Sequence, residues 1–388
     1  MIGKKIGIIT YWESNDNYGQ QLQCWALQYF LRKQGHRPFL IRFKRWHPRL
    51  SLKTRIKRIV KKIVAGFLFK TGLIKCGNLY QKIDGWTDKE IYRRQFPSFR
   101  KRFIRHSCRV YENLNQLQKH APRASVYITG SDQVWNFDLR EDELRAYFLQ
   151  FGSKVVKRIA YAPSIGHDQI PQAYRDTYRL FLHRFDAISV REISNVSSIN
   201  SLGYNAIGVL DPTMLLIDSD YSRFLKGVSA RPSVYIYSIN YSSSDDLPFD
   251  KVQEYAREKD LPIVVTPGSG FLRAKELFDG VIYLYATIPQ WIAQIANAEL
   301  VVTASFHGII FSILFHRSFV YTPLKGKFSS SNNRIYDLLK ALNLEDRILK
   351  DTSSFFYPLE KEINWEDVDF RLNSLRKNSF RFLNNALM

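Results

Sequence analysis

The sequence predicts an α/β fold of two Rossmann-like, doubly wound lobes with a central cleft. Three observations carry that expectation. Apolar strand-like runs alternate with helical stretches along most of the chain, the pattern of parallel sheets covered by helices on both faces. The alternation breaks at Asp211-Pro212 and resumes after a connector at 229–232, so there are two such blocks. The 388 residues, 45% hydrophobic and 14% aromatic, suffice for two full cores. The expected boundaries are 1–212 for the first lobe, with a basic amphipathic insertion at about 44–110, 213–360 for the second, and 361–388 for a last helix packing back across the join.

Each element has a local reason. Ile6-Gly7-Ile8-Ile9-Thr10 is a short apolar run and reads as a buried strand. Residues 20–33 repeat apolar side chains at helical spacing, and Gly35 ends them before a strand at 39–43. Further strands are expected at 126–129, 158–162, 187–190 and 206–210, with helices at 172–185 and 193–202. In the second block the expected strands are 233–238, 262–266, 280–283, 300–303 and 319–321. Its helices are 249–259, 289–296, 308–315 and 334–342, followed by the last helix at 367–383.

The net charge of +21 is local. From Arg32 to Lys82 there are 16 Lys and Arg and no Asp or Glu; from Arg93 to Arg109 there are 7 more and again no acid. The remainder of the chain is near neutral. Within the first stretch Leu52, Ile56, Ile59, Val60, Ile63, Val64 and Phe67 recur at spacings of three and four. That makes an amphipathic basic helix, the pattern of an element lying on an anionic membrane surface. A surface helix packed on its own domain has the same pattern. No recognised nucleic-acid module is visible, so nucleic acid is not expected as a partner.

No run of about 18 apolar residues occurs, which excludes an ordinary membrane-spanning helix among the expectations. The amino terminus carries no signal core, and Cys24, Cys76 and Cys108 are too few and scattered for a disulfide framework. A cytoplasmic protein, peripheral on the inner face of the membrane, is expected. No cluster of metal ligands, Walker motif or dinucleotide-binding glycine pattern is present in the sequence, so no metal or cofactor is expected.

In such sheets ligands bind beyond the carboxyl ends of strands, and four strand-to-helix turns there carry polar or glycine residues. Asn17, Tyr18 and Gly19 open a helix whose free amides suit an anion or hydroxyls, although an ordinary cap reads the same way. Gly130-Ser131-Asp132-Gln133-Val134-Trp135-Asn136 offers amides and an aromatic face for a sugar, with Asp132 as a candidate base. Arg191 and Glu192 close a strand, and the Arg191 fork suits a carboxylate or phosphate. Asp211, before Pro212, reads chiefly as a structural turn. Ser305-Phe306-His307-Gly308 runs from strand to helix, and His307 there can pair with an anion or move a proton. Arg334, at the start of a later helix, is a second anion candidate.

Taken in order, these segments resemble the polysaccharide pyruvyl transferase family. The resemblance rests on Gly7-Ile8-Ile9-Thr10 with Asn17-Tyr18-Gly19 and Leu22-Gln23, Gly130-Ser131-Asp132-Gln133-Val134-Trp135, Ser189-Val190-Arg191-Glu192, Leu210-Asp211-Pro212-Thr213, Ser305-Phe306-His307-Gly308, and Asn333-Arg334-Ile335-Tyr336-Asp337-Leu338-Leu339. It implies a GT-B-like two-lobed fold. It also implies phosphoenolpyruvate as donor and a sugar of a bacterial surface polysaccharide, expected to be lipid-linked, as acceptor. Arg191, Ser305, His307, Gly308 and Arg334 would then hold the donor, and Asn17, Tyr18, Gly19, Gln133, Trp135 and Asn136 the acceptor. His307 is the expected acid and Asp132 or Glu192 the base. One departure stands out: Ser305 occupies a position where many members carry a basic residue. The alternatives are a nucleotide-sugar glycosyltransferase of the same architecture and, more remotely, a nucleic-acid-binding protein.

Overall fold

The computed structural model describes residues 3–45, 93–241, 243–268 and 277–388. The basic amphipathic stretch expected over 52–67 lies outside the described residues.

The first lobe is built on a parallel seven-stranded sheet. Its strands are β1 (Lys5–Ile9), β2 (Arg37–Phe43), β3 (His106–Tyr111), β4 (Val126–Thr129), β5 (Lys157–Ala160), β6 (Ala187–Val190) and β7 (Ala206–Gly208), in the order β3-β2-β1-β4-β5-β6-β7. The second lobe holds β8 (Val234–Ser238), β9 (Ile263–Pro267), β10 (Ile282–Tyr283), β11 (Leu300–Thr303) and β12 (Ser318–Tyr321), ordered β10-β9-β8-β11-β12. The inner strands are apolar on both faces, as strands roofed by helices on either side must be: β4, β8 and β11 are buried along their whole length.

Each sheet winds outward in one direction and then restarts on the other side of its first strand. The switch points are β1/β4 in the first lobe and β8/β11 in the second. The crevice beyond such a switch is where α/β sheets bind ligands.

The two lobes share one core. Tyr18, at the start of the Tyr18–Lys33 helix, stacks on Trp291 of the second lobe with ring centroids 5.2 Å apart and 9° between planes. Its hydroxyl donates to the Ala286 carbonyl at 2.6 Å. The helix Trp365–Leu387 contacts both lobes. Arg376 donates to the carbonyls of Met214 and Leu216, the Leu210 amide donates to Ser379 Oγ, and His316 of the second lobe stacks on Trp365.

Two features differ from the sequence reading. The grouping of 44–110 as one insertion is too wide, because His106–Tyr111 is the edge strand of the first sheet and Lys44 donates its amide to the Tyr111 carbonyl. Its Arg and His content hides a strand whose exposed positions face solvent at a sheet edge. The expected strand at 280–283 shortens to Ile282–Tyr283, pairing with β9 alone.

Candidate active site

At the first switch point, a Gln23 side chain ties two strand ends together. Its Nε2 donates to Thr10 Oγ1 at 3.0 Å, and its Oε1 accepts from the Ser131 amide at 3.2 Å. Thr10 Oγ1 in turn donates to the Ser131 carbonyl at 2.8 Å. Gly130 makes this turn possible: its φ is +108°, and a Cβ there would stand 2.1 Å from the Tyr161 carbonyl oxygen. Asp132 follows with φ +75°, a left-handed conformation that a side chain adopts only when its surroundings impose it.

Asp211, just past β7, is the hub of the site. It is fully buried. Its Oδ1 accepts from the Thr213 amide at 3.0 Å and the Thr213 hydroxyl at 2.7 Å. Its Oδ2 lies 2.9 Å from Ser131 Oγ and 3.3 Å from Arg191 Nη1. His307 Nε2 approaches Oδ1 to 3.7 Å from the second lobe. Burial alone would raise the pKa of this carboxyl, but His307, Arg191 and the Thr213 amide outweigh it and hold the group well below the ordinary carboxylate range.

Arg191 closes β6 and is buried. Nε donates to Glu192 Oε1 at 3.2 Å. Burial opposes its charge, yet Glu192, Asp211 and Asp132 raise its pKa above the ordinary arginine value. Its guanidinium sits 4.8 Å from the centre of the Phe306 ring, and the Arg334 guanidinium lies 5.6 Å from the same ring. Arg334 is the less compensated of the two: burial and the nearby Arg191 charge lower its pKa, against smaller opposing effects of Glu192 and Asp132. Arg191 Nη2, Glu192 Oε2 and Arg334 Nε are all buried, with no hydrogen-bond partner among the described residues. Buried polar atoms are rarely left so, and three together on neighbouring side chains form a set ready to receive a polar ligand.

His307 lies in the first turn of the Phe306–Leu314 helix. Ser305 caps that helix, its Oγ accepting from the Gly308 amide at 3.2 Å. Gly19 of the first lobe packs against the imidazole so closely that a Cβ there would lie 2.0 Å from Nδ1. The helix amino termini of the two lobes therefore meet at His307.

Several residues singled out in the sequence stand elsewhere. Trp135 is fully buried and stacks on Phe148 at 4.6 Å and 7°, inside the first lobe's core, so no sugar can rest on its face. Tyr18 is equally buried and spent on the contact between lobes. Asn17 accepts from the Gln20 amide at 3.0 Å, as a helix cap does. Asn136 Oδ1 accepts from the Asp138 amide at 2.8 Å, and both Gln133 and Asn136 lie close against Gly166. A cavity of about 60 Å³ is bordered by Arg191, Asp211, Phe306 and Arg334. His307 is not on its wall; Asp211 sits between the imidazole and the Arg191 guanidinium. The sequence missed the hub role of Asp211, and with it Ser131 and Gln23. The available signal was position: Ser131 and Asp211 both follow strands that end at the crevice.

The sequence profile of the family described as polysaccharide pyruvyl transferase matches residues 17–325. The chain belongs to the polysaccharide pyruvyl transferase family. That makes it a transferase, and Asp132, Arg191, Asp211 and His307 all fall inside the matched span. A search of curated proteins returned no match. Among solved structures, the chain is similar to an alpha-glucosyltransferase in complex with UDP and a 13-mer DNA containing an HMU base. The identity is 8%, the alignment covers 98% of this chain and 95% of that one, and the TM-score is 0.50. It is also similar to the UDP-N-acetylglucosamine 2-epimerase from Rickettsia bellii, at 12% identity, 99% and 97% coverage and a TM-score of 0.44. At 8% identity the likeness to the alpha-glucosyltransferase is one of fold alone, a GT-B-like arrangement of two Rossmann-like lobes.

Proposed function

We propose that the protein moves the pyruvyl group of phosphoenolpyruvate onto a sugar diol, forming a cyclic ketal and releasing phosphate. The observation that carries this reading is the pair of guanidiniums, Arg191 and Arg334, on one Phe306 ring, each with a buried nitrogen lacking a partner. Forked donors of this kind match a carboxylate and a phosphate. Arg334 supplies the positive charge that Ser305 does not, since the Ser305 side chain is occupied in capping. The amino-terminal end of the Phe306–Leu314 helix adds its own anion preference.

In this mechanism His307 delivers a proton to the methylene carbon while a sugar hydroxyl oxygen bonds to the central carbon. Asp132, held near both arginines by its left-handed backbone, takes that hydroxyl's proton. A second hydroxyl then bonds the same carbon as the bond to the phosphate oxygen breaks, and the phosphate leaves with the second proton. Asp211 keeps Arg191 and His307 in register throughout. The 60 Å³ cavity is too small for the donor, so donor binding requires the lobes to part at the Gly19–His307 contact.

The acceptor we propose is a lipid-linked precursor of a bacterial surface polysaccharide, met at the inner face of the cytoplasmic membrane. The family membership supports the polysaccharide, and the basic sequence between Arg32 and Lys82 supports the location. Incubation with phosphoenolpyruvate and candidate glycans, read by phosphate release and mass, tests the reading; thermal shift against UDP-sugars tests the glycosyltransferase alternative, which requires stabilisation by a nucleotide sugar and none by phosphoenolpyruvate.

A further inference from the structure

A second concave surface lies away from the cleft, at the opposite end of the first sheet. It is an open groove of about 1070 Å³ at the amino-terminal ends of β1, β2 and β3, bordered also by the end of the Tyr18–Lys33 helix and by the helix Phe96–Phe103. The candidate active site is at the carboxyl ends of the same sheet, and β1 alone separates the two by five residues, roughly 16 Å.

Eight Lys and Arg side chains line the groove, and no Asp or Glu does. They converge from separate elements: Arg32 ends a helix, Arg37 begins β2, Arg105 precedes β3, Arg109 lies on it, and Arg223 comes from the Ser222–Phe224 turn. None of the eight forms an ion pair with a carboxylate among the described residues, although neighbouring Lys33 and Lys44 do. Burial, and after it the like charges of Arg105 and Arg223, lower the pKa of Arg32. An arrangement that concentrates like charge this way raises the local concentration of an oppositely charged partner.

We propose that this groove, formed by residues other than 52–67 and distinct from the cleft, is a docking site for the phosphate headgroups of an anionic lipid bilayer. Charge complementarity argues for the partner, and the aromatic rings argue against nucleic acid. A single-stranded partner needs free ring faces on which bases stack. Here Tyr29 is stacked by Trp25 at 4.9 Å and covered by Arg32 at 5.9 Å and Arg223 at 5.4 Å, and Phe39 lies under Lys5 at 5.4 Å. The rings serve to hold the cations.

The test is co-sedimentation of the full chain with vesicles of phosphatidylglycerol and phosphatidylcholine, or of phosphatidylcholine alone, with duplex and single-stranded DNA as competitors. The variant is Arg105→Glu/Arg109→Glu/Arg223→Glu, three exposed positions; the Gln triple replaces it if melting shows misfolding. The expected result is binding to the anionic vesicles only, lost at high salt, and weakened at least tenfold in the triple variant at unchanged melting temperature. Unchanged binding by the triple variant, no binding by the parent protein, or displacement by DNA at lower phosphate concentration than lipid each overturns the proposal. Phosphate release from phosphoenolpyruvate with a soluble glycan is measured in parallel, so that failure of the groove and failure of the cleft chemistry are told apart.

Discussion

Replacing Asp211 by Asn keeps the shape of the hub and removes its charge. The consequence follows from the contacts. Asp211 is fully buried between a guanidinium at 3.3 Å and an imidazole at 3.7 Å. At an effective dielectric near 20, the Asp211–Arg191 charge pair at 3.3 Å amounts to about 5 kcal/mol of attraction, most of it offset by the cost of burying the charges. Removing one partner of a buried pair costs about 3–5 kcal/mol because the other charge is left stranded. Arg191 keeps Glu192 at 3.2 Å, which places the expected loss at the lower end, about 3 kcal/mol. For a chain of 388 residues that lowers the melting temperature by roughly 3–4 °C. The pH dependence has a definite sign. The folded-state pKa of Asp211 lies below its unfolded value, so its contribution is complete above the unfolded pKa of about 3.9 and is lost as pH falls through the lower folded value. Melting curves of both proteins from pH 7 to pH 3 should therefore show a gap that is widest near neutrality and narrows in acid. A gap that stays constant with pH, or an Asn variant as stable as the parent, would refute the assignment of Asp211 as a charged hub.

Other substitutions separate ligand-binding roles from structural ones. Arg334→Met should lower kcat/KM for phosphoenolpyruvate on the order of 10²-fold with little change in melting, since it removes one preorganised donor. Ser305→Ala should cost about 1 kcal/mol of stability through the lost helix cap, and leave donor KM near its parent value. Gly19→Ala drives a methyl group onto the His307 imidazole and should reduce turnover far more than the roughly 1–3 kcal/mol it costs in stability, as activity and melting measured together will show. Trp135→Ala should destabilise the protein by about 3–5 kcal/mol through the core, with acceptor KM measured at low temperature unchanged.

The sequence revealed the two-lobed architecture because parallel strands buried on both faces leave continuous apolar runs, as in β4 and β11. It concealed β3, an edge strand whose exposed positions carry Arg and His in place of a second apolar face. The site was legible where chemistry and position coincide: Arg191 and His307 follow strands and both reach the hub. Asp211 was harder to read because one carboxylate performs two tasks at once. Capping the Pro212–Leu215 turn is a local role that sequence displays; joining Arg191 to His307 depends on the approach of the second lobe. Trp135 and Tyr18 misled for the converse reason. An aromatic ring beside amides looks like a sugar platform, yet burying a large apolar ring is the stronger drive, and both rings went into the core.

The central claim is that the crevice between the lobes, with Arg191, Arg334 and His307 at its base, consumes phosphoenolpyruvate. Phosphate release and acceptor mass, followed together on one reaction of the full chain with a polysaccharide precursor, test it most directly. The account predicts one phosphate released for each acceptor that gains the mass of pyruvate less a water, and neither signal in an Arg191→Ala or His307→Ala variant that melts cooperatively. Equal turnover in those variants, or transfer from a nucleotide sugar with phosphoenolpyruvate left intact, would contradict it.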